Sequence, residues 1–512
     1  MTGRPMASIN HYSIDRAKRS LLHFGIGKAA SAGLGIVVLV MAVRLLPPKD
    51  YGIYIALIAF LELFYVVTGF GLSTVAQRYV AEFRMKAHPA QFRKFLLRVV
   101  ALRMLLACVS ALAVSIVSQP LVALLGLELS REAQWLFVAL LIFGSGTRYF
   151  DEVFPSLLLQ GYTQGLVFIS NAVKMVVLAA ALMLDSDFGY REILWLELGT
   201  AFLVYATGAS LLGRYLSLTA DATTGEAEYV NDRMWPVAAR FYLVQLIGQA
   251  YGPNAVKLLL SKIMGLVETA TFGFLQALAD MIRNYLPAYL LATWVRPLMI
   301  SRYLQRRDMG EVSAIANVVF KLSLMGVVPF AVFFSAHGDR FAGWVSSGKY
   351  VEAATVLTLL MGLIALQSLH AVMSMVTVTV ERAGANVVAT CVCCTSLPLA
   401  VWFSRYWGLA GIVGAMALAE CLWVGIVWGW LARGGLTVRF DVLGPVKIFV
   451  SGLIVAVAIR FVGGGVAEGW TLMLHLMLGG LGVLAIAAVL KPFSTDERVI
   501  IGRLIPARFF FW

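Results

Sequence analysis

Residues 470–490 read WTLMLHLMLGGLGVLAIAAVL, twenty-one positions without one Asp, Glu, Lys or Arg. In an α-helix, at about 1.5 Å per residue, that run covers the ~30 Å hydrocarbon core of a bilayer. It is continuously apolar instead of alternating at every second position, so it reads as a helix and not as a barrel strand. Runs of the same kind recur along the chain. Spans are expected at 25–46, 51–72, 95–117, 133–157, 165–184, 193–213, 237–260, 266–290, 313–336, 352–377, 385–404, 408–432, 445–465 and 470–490, fourteen in all. The composition agrees, with 60% hydrophobic and only 13% charged residues, where a soluble domain carries about 25% charged. The fold class is an all-α polytopic membrane protein.

The net charge of +13 lies in short basic clusters between apolar runs, not on one face with a nucleic-acid motif. It implies membrane lipids as partners and no nucleic acid. Placing the N-terminus in the cytoplasm collects Arg16, Lys18 and Arg19, then Arg78, Arg84, Lys86, Arg93 and Lys94. The same side gains Arg302, Arg306 and Arg307, then Arg433 and Arg439, then Lys491, Arg498, Arg503 and Arg508. Both termini are therefore expected in the cytoplasm. The first residues are polar and basic and read as no cleaved signal peptide. The five cysteines all lie in apolar runs and read as packing residues, so no metal site is expected.

The chain divides on this reading into a cytoplasmic segment 1–24, an N-lobe 25–213, a cytoplasmic linker 214–236, a C-lobe 237–432, a terminal helix pair within 433–490 and a cytoplasmic tail 491–512. An offset of 221 pairs Tyr51-Gly52-Ile53-Tyr54-Ile55-Ala56-Leu57 with Phe272-Gly273-Phe274-Leu275-Gln276-Ala277-Leu278. Six helices per repeat is an even number, so the two lobes share one orientation, as parallel repeats about an axis along the membrane normal. The tail ends Arg508-Phe509-Phe510-Phe511-Trp512, an interfacial anchor.

Charges at bilayer depth cost about 2.5–3.5 kcal/mol each, so they must pair or face a wet cavity. In the eighth span Gln276, Asp280, Arg283 and Asn284 fall on one helical face ending near Pro287. They read as a cavity wall, or else Asp280 and Arg283 form a structural pair. The seventh span carries Arg240, Gln245, Gln249, Asn254 and Lys257 around a Gly252-Pro253 break. In the fourth, Arg148 can be satisfied by Asp151 and Glu152 at i+3 and i+4. Lys174 has no acid within a helical turn, and Lys28 can snorkel from the first span. His370 alone reads as a satisfied core histidine. The expected cationic substrate-binding set is Lys28, Arg148, Lys174, Arg240, Lys257 and Arg283, with Gln245, Gln249, Asn254, Gln276 and Asn284 as polar wall. Arg283 corresponds to Glu62 under the offset. Glu62, Asp280 and Glu420 are the acids to test for coupling to H+ or Na+. No other cofactor is expected, and the cationic excess favours an anionic substrate carrying phosphate or diphosphate.

No phosphate-binding loop is present, since Gly33-Leu34-Gly35 sits inside a span. No long outer loop carries paired carboxylates, so movement is favoured over bond-making and no catalytic residue is assigned.

Arg44-Leu45-Leu46-Pro47-Pro48-Lys49-Asp50-Tyr51-Gly52-Ile53-Tyr54, then Gly69-Phe70-Gly71-Leu72 and the basic loop, resemble the opening of bacterial polysaccharide flippases. These are the Wzx-like members of the multidrug/oligosaccharidyl-lipid/polysaccharide (MOP) superfamily. Met264-Gly265 through Phe272-Gly273, Arg296-Pro297-Leu298-Met299 and Ser347-Gly348-Lys349-Tyr350 resemble their second half. Gly408-Leu409-Ala410-Gly411-Ile412-Val413-Gly414-Ala415 resembles their twelfth helix. The resemblance implies two six-helix lobes around a central, cationic cavity, two further helices and alternating access. It implies transfer of a polyprenyl-diphosphate-linked sugar across the bacterial inner membrane for O-antigen, capsule or exopolysaccharide. A monomer working beside polysaccharide polymerase and chain-length machinery is expected. The alternatives are a lipid II or other lipid flippase, a drug or cation antiporter of the same superfamily, and, from another class, a membrane glycan polymerase or ligase.

Overall fold

The computed structural model describes residues 14–218, 234–462 and 469–504. Most of the expected linker, the start of the N-terminal segment and the aromatic end of the tail lie outside them. Fourteen helices carry the crossings: α1 (Ile14–Leu45), α2 (Pro48–Val67), α3 (Pro89–Ile116), α4 (Arg131–Ser156), α5 (Gln160–Met183), α6 (Tyr190–Leu218) and α7 (Met234–Ala250, resuming as Pro253–Ile263) lead the chain. They are followed by α8 (Leu266–Arg283), α9 (Met309–Ser346), α10 (Ala354–Thr379), α11 (Ala383–Cys393), α12 (Ser396–Arg433), α13 (Leu443–Val462) and α14 (Trp470–Leu490), then by a short helix α15 (Thr495–Leu504).

Ten helical stretches among the described residues are long and apolar enough to cross a membrane, and one of them, Gly384–Arg433, spans 50 residues and holds two crossings. Within it α12 breaks at Gly408, with φ 56° and ψ −135°. The chain then doubles back: Trp423 Nε1 donates to Thr390 Oγ1 at 3.3 Å and Cys393 Sγ donates to the Ala419 carbonyl at 3.2 Å. The remaining crossings, α4, α7 and α8, fall short of that apolarity because of the charges and the break singled out in the sequence. Pro253 opens the second piece of α7, as a helix-initiating proline should. Past Arg283 the backbone turns and restarts at Pro287.

The described chain forms two compact units, one through Val267 and the other from Glu268. The division falls later than the linker expected at 214–236, because the seventh crossing packs with the first unit. Its Pro253–Ile263 piece lies along α2. Just beyond that piece, at the first residue of α8, the Leu266 carbonyl occupies the space where a Cβ on Gly52 would sit. In the first unit α1 packs on α5, α4 lies between α3 and α6, and α5 meets α6. In the second unit α9 is the central post, flanked by α10, α13 and α14, while α12 packs on α10 and α11. Its core includes Phe333, Leu324 and Val319.

In the first half of α9, more than three turns in from its start, Lys321 is 0% exposed. Its Nζ lies 2.5 Å from Asp441, between α12 and α13, and 2.6 Å from Glu497 of α15, and it donates to the Pro492 carbonyl at 3.0 Å. One buried cation thus ties the terminal helix pair and α15 to the central post. Burial pushes the Asp441 carboxyl up, but the hydrogen bond and charge of Lys321 outweigh it and hold the group below its ordinary range.

Candidate functional site

The first unit carries an open pocket of about 310 Å³ with polar and charged side chains on its walls. Helix α2 presents Tyr54, Ile58, Leu61, Glu62 and Tyr65 to it, one helical face by their spacing. From α4 come Gly144, Thr147 and Asp151, from α5 Ser170, Asn171 and Lys174, and from α6 Glu197 and Thr200. Lys174 Nζ donates to both carboxylate oxygens of Glu197 at 2.7 Å, and Tyr54 O–H donates to the same carboxylate at 2.9 Å. The two charged side chains are only 18% and 13% exposed. Arg148 reaches across to Glu62 of α2, Nη2 to Oε2 3.4 Å. Asn171 Nδ2 donates to the Ser31 carbonyl of α1 at 3.1 Å, which binds α1 to the cavity wall.

Two expectations change here. Lys174 does have an acidic partner, but on α6 and not on its own helix. Arg148 pairs with Glu62 on α2 and not with Asp151 or Glu152 one turn away. Glu62, Asp151 and Glu197 all line the cavity while Lys174 is its one lining cation among the described residues. Within this unit's pocket the lining carries three acids to one lysine. The gap in the sequence reading was Glu197, Asp151, Tyr54 and Asn171. Asn171 stood one turn from Lys174 and Tyr54 two turns from Glu62, so both could have been found by extending the polar face of each helix.

Tyr65 enters the cavity over Gly144, where its hydroxyl takes the place of a side chain. Gly144→Leu is expected to expel the Tyr65 ring and fill the cavity, costing about 1–3 kcal/mol by overpacking. Thermal unfolding of the purified variant measures it. An unchanged midpoint would show that the ring has room to move.

The other expected residues scatter. Lys28 on α1 is partly buried, and Arg240 and Gln245 on α7 are exposed. Gln249, Asn254 and Lys257 are partly buried around the Gly252-Pro253 break. None of these lines the 310 Å³ cavity. In the second unit Arg283 pairs with Asp280 at 3.1 Å, and its Nη1 donates to Gln367 of α10 at 3.3 Å. Its guanidinium also faces the Tyr289 ring at 5.7 Å. Gln276 is buried, and its carbonyl oxygen has no hydrogen-bond partner. Asn284 lies just past the helix and is exposed. His370 Nδ1 lies 2.6 Å from Glu420 of α12, and its ring stacks on Trp423 at 3.5 Å. His370 is thus satisfied, and Glu420 is the partner that satisfies it.

These contacts reveal a second layer of the internal repeat. Glu62, Arg148 and Glu197, on the second, fourth and sixth crossings, correspond to Arg283, His370 and Glu420 at offsets of 221, 222 and 223. Each half of the chain therefore carries polar side chains at corresponding sequence positions on its second, fourth and sixth crossings, with the identities changed at two of the three positions.

Residues 18–336 match the family model described as polysaccharide biosynthesis protein. The chain belongs to that family. No curated protein matches it. Among solved structures it is similar to the lipid II flippase MurJ in an inward closed conformation, with 16% identity, a TM-score of 0.66 and 91% of this chain and 98% of that one covered. It is similar as well to an inward-facing MATE multidrug-resistance transporter of the MOP superfamily (12%, 0.60, 81% and 98%). A MOP-superfamily transporter from Pyrococcus furiosus with a binding pocket of reverse polarity matches at 12% identity and TM-score 0.56, covering 82% and 96%. At such identities the likeness fixes the fold alone, an all-helical one with many apolar crossings.

Proposed function

We propose that this protein is a flippase carrying a polyprenyl-diphosphate-linked oligosaccharide across the bacterial inner membrane, by alternating access, for surface polysaccharide synthesis. The observation that carries the reading is a sugar-like lining inside a membrane-embedded unit of a polysaccharide biosynthesis protein. Tyr54, Thr147, Ser170 and Asn171 offer hydroxyl and amide groups, and Glu62 and Asp151 offer acceptors. The cavity volume of about 310 Å³ meets the ~300–1,000 Å³ typical of small-molecule sites. The sugar portion belongs in this cavity. Its acid-rich lining repels a diphosphate, so that group falls to Arg240, Lys257 or Arg283. The protein works as a monomer, with both termini cytoplasmic, beside polymerase and chain-length machinery, and catalyses no bond-making.

H+ is the coupling ion proposed, taken up at His370 and Glu420, where an imidazole and a carboxylate 2.6 Å apart can share it. In proteoliposomes, a fluorescent lipid-linked oligosaccharide should move to the outer leaflet faster when a proton gradient is applied. His370→Asn should remove that acceleration and leave exchange without a gradient intact. A gradient response equal to wild type would sink the coupling site.

The acid-rich lining supports a second reading, a drug or cation antiporter of the same superfamily. Transport of a cationic dye without movement of any lipid-linked sugar would favour it. Movement of lipid II in the same assay would instead assign the substrate as the peptidoglycan precursor.

A further inference from the structure

In the last third of α9, about four turns and more beyond Lys321, a second cavity of about 290 Å³ opens within the second unit. It is lined by Ser335, His337, Asp339 and Arg340 of α9, by Ala354 at the start of α10 and by Arg460 of α13. The charge pattern of the loops puts this end outside the cytoplasm. It is separate from the first-unit cavity and from the polar residues around His370.

Three observations define what it takes. First, Arg340 and Arg460 stand exposed at its mouth, one from each wall, and neither has an ion-pair partner among the described residues. Asp339 is the carboxylate at the cavity, and it accepts the Ala354 N–H at 2.7 Å, which turns it to capping α10. Second, His337 is 4% exposed, yet neither of its ring nitrogens has a hydrogen-bond partner. Its ring is held against His475 of α14 at 5.1 Å, nearly parallel. A buried imidazole with an unused N–H beside two open guanidiniums is a donor set for a phosphate or phosphodiester group. Third, the face of α13 leading to Arg460 is apolar and exposed, through Phe449, Leu453 and Val457 to Phe461. Trp470, at the start of α14, is exposed too, its ring 5.8 Å from Trp344 near the end of α9. Aromatic and cationic side chains at the end of a lipid-facing stripe mark the membrane–water interface.

We propose that this cavity binds the phosphate-bearing headgroup of an anionic phospholipid whose acyl chains lie along the exposed face of α13. Native mass spectrometry of the full chain, released from nanodiscs of phosphatidylcholine with phosphatidylglycerol, tests it. The wild type should retain one phosphatidylglycerol more than Arg340→Gln/Arg460→Gln, with apparent affinity at least tenfold higher. His337→Asn should weaken retention in the same direction, and Arg405→Gln, an exposed charge elsewhere, should retain lipid as wild type does. Equal retention by wild type and the double variant overturns the proposal, as does equal loss in Arg405→Gln. Inorganic phosphate supplies the other source of the same chemistry. If it binds and the lipid shows no preference, the headgroup assignment is overturned. Since the readout is lipid retention and not transport, the result does not depend on the flippase reading.

Discussion

Replacing Lys321 with Met should remove most of the folded protein from the membrane. The substitution leaves Glu497, 3% exposed, and the partly exposed Asp441 facing each other with no cation. Breaking a buried ion pair from one side costs about 3–5 kcal/mol, a large share of a typical net stability of 5–15 kcal/mol. Lys321→Met/Asp441→Asn/Glu497→Gln removes all three charges and should recover most of the loss. Monodisperse yield in detergent and the thermal midpoint check both variants, and a single variant as stable as wild type refutes the node. The depressed carboxyl of Asp441 adds a pH sign. Its folded value lies below its unfolded one, so its contribution is complete above the ordinary carboxylate range and lost as pH falls through the depressed value.

The second large effect lies at Lys174 and Glu197. Lys174→Met strands a carboxylate that keeps only the Tyr54 hydroxyl, and about 3 kcal/mol of stability should go with it. Lys174→Met/Glu197→Leu replaces the pair with apolar groups and should restore the thermal midpoint nearly to wild type. Transport should stay lost in both, since the polar wall proposed to hold the sugar then lacks Lys174 and, in the double variant, Glu197 as well. The two readouts part company only if the pair serves the cargo. If the double variant regains surface polysaccharide in cells along with stability, the pair merely joins α5 to α6.

The architecture was legible because apolar length is a one-dimensional property. A run such as 470–490 announces its crossing without knowledge of its neighbours, and the Gly252-Pro253 break in α7 shows in the backbone as the sequence implies. The pair Asp280–Arg283 was legible for the same reason, its members being one turn apart on α8. The cavity's charges were not. Lys174 and Glu197 are 23 residues apart, and Glu62 and Arg148 sit on helices that are not consecutive. Which faces of two helices meet depends on their rotation and packing, and a single helix examined alone leaves Lys174 without a partner. The acids of the first-unit pocket come together through those rotations, which a count of cations along the chain does not contain. Lys321, Asp441 and Glu497 escaped assignment similarly, because their contact joins α9, the segment before α13, and α15.

The node at Lys321 also sets a timetable for biosynthesis. The lysine is translated 120 residues before Asp441 and 176 before Glu497. At about 5–20 residues per second, a nascent second unit waits roughly 6–24 s for the Asp441 carboxylate and roughly 9–35 s for the buried Glu497 that completes the node. A ribosome that stalls or terminates early in that interval releases a chain that cannot neutralise its own interior. Arrival of Glu497 thus distinguishes finished molecules from unfinished ones, and membrane proteases could sort them by that difference alone.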